Sequence, residues 1–218
     1  ACVVLEDDPV FNAGTGSVFR TDGSVHLDAS IQTSEGKMGF VIGMQDTPNP
    51  IRVAADLLDE DINGLTGEGA RIWADSKGFE KSNVQGRPPF EGATDTVGVV
   101  ARDNSGLIVC ATSTGGTSNR PPGRVGDVPL PGCGFWVQDG VGVGATGIGE
   151  AITRGMISLR VADRILEGND LEESMMWALE ECLEGGAEVG IIALGSEGTG
   201  HGVSNSTNMP WASWIARK

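Results

Sequence analysis

An α+β sandwich is the fold class that the sequence predicts, on three observations. Short apolar runs recur in pairs around turns such as Asp22-Gly23, Asn104-Ser105-Gly106 and Asp139-Gly140, the pattern of antiparallel hairpins. Helical periodicity comes in consecutive pairs of segments, whereas a doubly wound sheet would alternate strand and helix. The chain has 218 residues and is 39% hydrophobic, enough for a single domain with a sizeable core.

The elements follow in order. Residues 1 to 5 read as the last turn of a helix, and Asp8-Pro9 through Gly16 as a Gly/Asn-rich loop. Ser17 to Arg20 and Val25 to Ile31 flank Asp22-Gly23 as the strands of a first hairpin, and Gly39 to Met44 is a third strand. Asn49 as cap and Pro50 at the first helical position open a helix to about Asp61. A second helix runs from Gly67 to Ser76, followed by a polar linker over 79 to 94. Val97 to Ala101 and Leu107 to Thr112 make the next hairpin, a long Gly/Thr/Pro loop spans 113 to 132, and Phe135 to Gln138 pairs with Val141 to Ala145. Ile152, Met156, Leu159, Ala162 and Leu166 share one face and predict a single helix. Asp170 with Glu173 predicts a capping box for the helix after it, whose inner face is Leu171, Met175, Ala178 and Cys182. Val189 to Leu194 and the closing stretch around Gly202 and Trp211 read as strands.

Thirty Asp and Glu against fifteen Lys and Arg give a formal net charge of −15. Both halves share the surplus and the cations are scattered singly, which argues against nucleic acid or a membrane surface as partner. No window approaches the length of a spanning helix, and no basic-then-apolar leader opens the chain. It opens with Ala1, which points to processing or to a longer parent chain. Cys2, Cys110, Cys133 and Cys182 have no CxxC spacing and read as buried thiols in a reducing, cytoplasmic compartment.

Gly142, Gly144 and Gly147 fit G-x-G-x-x-G, but the following helix leads into another helix and not to a parallel strand, so a dinucleotide site is a poor reading. Glu6-Asp7-Asp8 reads as solvated carboxylates on a turn. His26 and His201 are isolated and read as structural, which removes the base from any Ser-His-Asp or Cys-His scheme. What remains is a hydroxyl-rich set: Asp95-Thr96-Val97-Gly98, Thr112-Ser113-Thr114-Gly115-Gly116, Gly123 to Asp127, and Thr146 to Glu150. A Thr hydroxyl needs a base, and a Thr that becomes a chain terminus carries an amine of its own. The same residues also read as ordinary turn and strand threonines.

In their order these blocks, with Leu5 to Gly16 and Asp28-Ala29-Ser30, resemble the threonine-type asparaginase family of N-terminal-nucleophile hydrolases, and look more like its isoaspartyl peptidase/L-asparaginase branch. The resemblance implies a four-layer αββα sandwich, one domain over 1–218, cut between Asp95 and Thr96 into an α portion (1–95) and a β portion (96–218). It implies hydrolysis of the side-chain amide of asparagine and of β-aspartyl dipeptides, with Thr96 as nucleophile and its freed amine as base. Thr114 would orient the nucleophile, Thr146 and the Gly147 N–H would hold the oxyanion, and Asn12 would support the Thr96 region. Arg124 would take the substrate α-carboxylate, and Asp127 with the Gly149 carbonyl its ammonium. The family needs no catalytic cofactor but holds a structural sodium ion through backbone carbonyls, here matching Leu5, Glu6, Asp8, Phe11, Ala13 and Thr15. It assembles as a dimer of cleaved units, for which Trp136, Trp177, Trp211 and Trp214 supply apolar area. Family members begin with a strand bearing an HGGAG-like motif and a helix, and this sequence starts inside the tail of that helix. An unpaired sheet edge near the site is therefore expected, and the alternative reading is a catalytically incompetent remnant that serves as a binding or scaffold protein.

Overall fold

The computed structural model describes residues 1–88, 96–183, 185–207 and 209–215. Asp95, the expected junction before Thr96, and residues 89–94 of the linker lie outside the described residues. The elements are α1 (Cys2–Asp7), β1 (Leu27–Thr33), β2 (Met38–Met44), α2 (Pro50–Asp56), β3 (Gly64–Thr66), α3 (Gly67–Ser76), β4 (Val97–Arg102) and β5 (Ile108–Thr114). They continue with β6 (Phe135–Gln138), β7 (Val141–Gly147), α4 (Gly149–Gly155), α5 (Ile157–Leu166), α6 (Leu171–Glu181), β8 (Val189–Leu194) and β9 (Gly200–Ser204). Two sheets result, one in the order β3-β2-β1-β5-β4 and one in the order β6-β7-β8-β9.

Strand alternation decides which layer each residue enters. In the first sheet Ala29, Val41, Val97 and Ala111 pack with Ile51, Ala54, Ala70 and Ala74 of α2 and α3. In the second, Val143, Ala145, Val189 and Ile191 pack with Ile157, Val161, Met175 and Ala178 of α5 and α6. The opposite faces meet each other: Ile108, Cys110, Phe135 and Val137 form a cluster between the sheets. Gln32 joins them with both ends of its amide, Nε2 donating to the Val137 carbonyl and Oε1 accepting from the Val137 N–H, each at 3.0 Å. Glycine permits a close approach here. A Cβ on Gly142 would lie 2.6 Å from Val100 and 2.8 Å from Ile108, too close to fit, whereas one on Gly144 would meet Cys110, Thr112 and Ile192 at ordinary contact distances of 3.4–3.6 Å. Gly142 of the G-x-G-x-x-G run thus serves sheet packing.

Several expectations change. Ser17 to Arg20 forms no ladder with the segment after Gly23; the turn closes through Arg20 N–H to Ser24 O at 2.8 Å, while Val18 bridges Arg87 and β1 pairs with β2 and β5. The helix begun at Pro50 ends at Asp56 and tightens into a 3₁₀ turn over Leu57–Asp59. The three-residue strand β3, parallel to β2, was too short to show a period. The stretch around Trp211 lies past the end of β9 and is not a strand. Asp170 caps α6, its Oδ1 accepting from the N–H groups of Glu172 and Glu173, which is one half of the expected capping box; among the described residues the Glu173 side chain makes no return bond to the Asp170 N–H.

The single helix expected through Met156 is two. Met156 ends α4 and starts α5 in the left-handed region, φ 45° and ψ 51°. Its side chain is 43% exposed, so one buried face never runs through both helices. An L residue there costs about 1 kcal/mol. Met156→Gly is expected to stabilise the fold by about 0.5–1 kcal/mol and raise the Tm by about 2–3 °C in calorimetry.

Candidate active site

The hydroxyl-rich residues converge at one end of the gap between the sheets. β5 pairs with β1 (Asp28↔Thr114, Ser30↔Thr112) and with β4 (Val97↔Ser113, Gly98↔Thr112). Extending the last ladder by one residue sets Thr96 opposite Thr114. Across the gap Ile108 lies over Gly142, and Cys110 and Thr112 over Gly144, so β5 and β7 run in the same sense. One further two-residue step brings Thr114 and Thr96 of one sheet level with Thr146 of the other. By the same alternation Asp28, two residues from Ser30, points into this gap. Ser30 fixes the level of the following loop, its Oγ donating to the Val128 carbonyl at 2.7 Å while lying 2.7 Å from Thr112 Oγ1.

Thr114 is buried, and its Oγ1 accepts from the Gly116 N–H at 3.0 Å, which folds the chain sharply after β5. Asn12 clasps this turn. Its Nδ2 donates to the Gly116 carbonyl at 2.6 Å, its Oδ1 accepts from the Val18 N–H, and its own carbonyl accepts from the Gly115 N–H. Asn12 therefore acts on the Thr114–Gly116 turn, one step removed from Thr96. Gly147 has φ 135° and lies against the Glu188 carbonyl with no room for a Cβ. Ile148 donates its N–H to the same carbonyl at 3.0 Å.

The long loop after Gly116 supplies charge. Arg124 forks onto Glu150, with Nε to Oε1 at 3.1 Å and Nη2 to Oε2 at 3.0 Å. This hydrogen-bonded pair lowers the Glu150 carboxyl below its ordinary range. Asp127 is buried, and loss of solvent pushes its carboxyl up to about 7 against the pull of Arg124. Gly149 sits between the two: a Cβ there would lie 2.7 Å from Asp127 Oδ1 and 2.8 Å from Arg124 Nη2. The expected substrate-binding trio is thus assembled at one place, and Glu150 joins it as the residue that holds the guanidinium.

The N-terminal loop differs from expectation in one respect. Asp7 and Asp8 are exposed, but Glu6 is fully buried. Its Oε1 accepts from the Ile51 N–H at 3.1 Å and from Ser113 Oγ at 2.6 Å, and burial raises its carboxyl to about 7. Glu6 was misread because consecutive acidic residues carry no signal of which one turns inward. Among the described residues no group of three His, Cys, Asp or Glu could hold a metal ion. The loop offers main-chain oxygens instead: Gly14, with φ 51°, leaves a Cβ position 2.6 Å from the Glu6 carbonyl, and a Cβ on Gly16 would lie 2.5 Å from that of Pro9. These contacts are those of a loop folded tightly onto its own main chain. All four cysteines are free and buried. His201 packs at a tilt against Trp211, ring centroids 4.9 Å apart, and reaches Glu172 at 3.6 Å, while the His26 ring lies beside Gly43 of β2. Two surface concavities, of about 530 Å³ beside Gln45 and Asn83 and about 220 Å³ beside Arg154 and Glu181, are lined by none of these site residues.

Asp28 and Asp127 carry a pH expectation. Burial raises both carboxyls, to about 6 and about 7, so the folded state holds protons that the unfolded chain releases near pH 4. Their contribution to stability is complete below about pH 4 and is lost as pH rises through about 6–7. The Tm is expected to fall between pH 5 and pH 8, and Asp127→Asn to flatten that slope in a thermal-shift series.

Comparison with known proteins places the chain in a family. The family model described as Asparaginase matches residues 1–88 and 82–218. A plant-type L-asparaginase of Pyrobaculum calidifontis is 37% identical over 201 residues, 81% of this chain and 67% of that protein. The isoaspartyl peptidase/L-asparaginase of Bos taurus is 35% identical across 97% of this chain and 77% of its own length, and that of Synechocystis 32% identical across 90% and 68%.

Proposed function

Since the chain belongs to the asparaginase family, we propose that it is an isoaspartyl peptidase/L-asparaginase whose nucleophile is Thr96. The observation that carries this reading is the cluster of Arg124, Asp127 and Gly149, and it is supported by the β1–β5–β4 register, which when extended sets Thr96 opposite Thr114 and both toward the level of Thr146. The chain would mature by attack of the Thr96 hydroxyl on the Asp95 carbonyl. Expulsion of the Thr96 nitrogen completes an N-to-O acyl shift and frees the amine, and water then cleaves the ester to leave the Asp95 carboxylate and the Thr96 hydroxyl. The amine, with a pKa near about 8, can act as base at neutral pH. Thr96 Oγ then attacks the side-chain carbonyl carbon of the substrate while the amine takes its proton. The oxyanion is held by the Thr146 hydroxyl and the Gly147 N–H, the proton passes to the leaving nitrogen, and ammonia or the amine of the β-linked residue departs. Water attacks the β-aspartyl ester and returns the hydroxyl.

Recognition follows from charge. The guanidinium of Arg124, held from one side by Glu150, presents its remaining donors to the α-carboxylate, and Asp127 with the Gly149 carbonyl receives the ammonium. Thr114 orients the nucleophile, and Asn12 supports it by clasping the turn.

The rest of the proposal concerns architecture. α2 and α3 outside one sheet, and α5 and α6 outside the other, support a four-layer αββα sandwich. The chain would be one domain divided at 95/96, with a sodium ion on the carbonyls of Leu5, Glu6, Asp8, Phe11, Ala13 and Thr15. A dimer of cleaved units is supported by exposed Ile148, Met176 and Trp214. No helix among the described residues is long and apolar enough to cross a membrane, and a cytoplasmic location fits four unpaired thiols.

Intact mass under denaturing conditions, with ammonia release from asparagine and amino-acid release from β-aspartyl dipeptides, tests the reading. Two fragments meeting at 95/96 together with turnover are expected. A single uncut chain without turnover would favour the scaffold alternative.

A further inference from the structure

The N-terminal segment grips the end of β5 at two places, and the proposed reaction uses only one of them. Asn12 clasps the turn after the strand, its Nδ2 donating to the Gly116 carbonyl and its own carbonyl accepting from the Gly115 N–H. Glu6 takes hold from the helix side. It is fully buried on α1, and its Oε1 accepts from Ser113 Oγ at 2.6 Å and from the Ile51 N–H at 3.1 Å. Its Oε2 has no hydrogen-bond partner among the described residues, so one oxygen carries both bonds.

Ser113 stands between Thr112 and Thr114 and is paired with Val97 of β4 and Ala29 of β1. Those two side chains belong to the core beneath α2, so strand alternation turns Ser113 the same way and sends Thr112 and Thr114 into the gap between the sheets. Ile51 lies in the first turn of α2, where unpaired N–H groups favour a carboxylate. Glu6 thus bolts the strand that carries Thr114 to the start of the helix beneath it. Residues 113, 115 and 116 are the fixed points, and Thr114 stands among them.

We propose that Glu6 is a positioning residue: by tying Ser113 to α2 it fixes the backbone at Thr114 on the level where Thr114 orients Thr96. This rests on the asparaginase reading of Thr96 and Thr114. The tie reaches both strands, because the ladder partner of Ser113 is Val97, the neighbour of Thr96. Arg124 and Asp127 lie on the loop before β6 and Gly149 at the start of α4, outside this grip. Its loss is therefore expected in the chemical step and not in substrate binding.

The test uses the full chain. In Ser113→Ala, which removes one hydroxyl and keeps the strand, kcat for asparagine is expected to fall about tenfold with KM within about threefold, and self-cleavage to slow by a similar factor. In Glu6→Ala the loss is expected to be at least as large. The double variant is expected to lose no more than Glu6→Ala alone, because Glu6 acts on the strand through the Ser113 hydroxyl. A role in stability alone would lower the Tm and leave kcat of the folded enzyme unchanged. Amide hydrogen exchange at Gly116 provides a readout independent of turnover, since that N–H donates to Thr114 Oγ1; it is expected to quicken about tenfold in Ser113→Ala. Wild-type kcat in Ser113→Ala, losses that multiply in the double variant, or unchanged exchange at Gly116 overturns the proposal. If Glu6→Ala does not fold, Ser113→Ala decides alone through kcat and the Gly116 exchange. An inactive wild type overturns the asparaginase reading, and the Gly116 exchange still judges the role of Glu6.

Discussion

Thr96→Ala is expected to yield a folded protein that neither cuts itself nor releases ammonia from asparagine. One hydroxyl serves both reactions, and no other group stands in for it: His26 and His201 lie elsewhere, and the four thiols are buried with their pKa values raised. A loss of at least about three powers of ten in kcat is expected, with the Tm within about 2 °C, since Thr96 sits at a half-exposed strand entrance and its methyl remains largely represented by Ala. Thr96→Ser retains a hydroxyl and should keep part of both activities. Turnover at the wild-type rate by the Ala variant would remove the proposed nucleophile.

The second large effect concerns the clamp. Arg124→Lys keeps the charge but cannot make the two parallel bonds to Glu150, so the cation loses the support that aims it. Asp127→Ala leaves the substrate ammonium unpaired beside a buried arginine. Each is expected to lower kcat/KM by about one to three powers of ten, because a charge-assisted bond is worth about 1.5–3 kcal/mol and misplacement adds to it. Self-cleavage should suffer less, since the chain itself holds the bond before Thr96. Measuring cleavage by gel and hydrolysis by ammonia release on the same protein separates the two. Wild-type hydrolysis in both variants would show that the substrate's charged ends are bound elsewhere.

Local periodicity made much of this legible. α3 runs from Gly67 to Ser76 as read, and the hairpin around Asp103 to Gly106 needed only an apolar run on either side of a strong turn. The hairpin around Asp22-Gly23 failed for a long-range reason: β5, about eighty residues away, takes the side of β1 that a local partner would have taken. The break at Met156 was hidden because spacing records which residues could share a face but not whether the backbone turns between them. The site divides in the same way. Motif order marked Thr96, Thr114, Arg124 and Asp127, whereas the side chain of Glu6 reads as solvated, Arg20 only as the end of a strand run, and Asp28 only as part of a block within the resemblance, although all three are buried. Asp28 did leave one trace, an acidic residue between Leu27 and Ala29 in a strand-forming run. A charge at such a position is either at a surface or held for a purpose.

Glycine between the sheets has a mechanical consequence. With no side chain at 142, Val100 and Ile108 of the facing sheet drop into the space left by β7 and engage it like teeth of a rack. Teeth resist sliding along the strands far more than they resist small changes in separation. The proposed alignment of Thr96 and Thr114 with Thr146 would then be set by gearing between two slabs, some distance behind the loops that surround the candidate site. A methyl group added at Gly142 would touch no substrate, yet by riding up on Val100 and Ile108 it would press one slab away from the other and disturb the level at which the proposed oxyanion donors face the nucleophile.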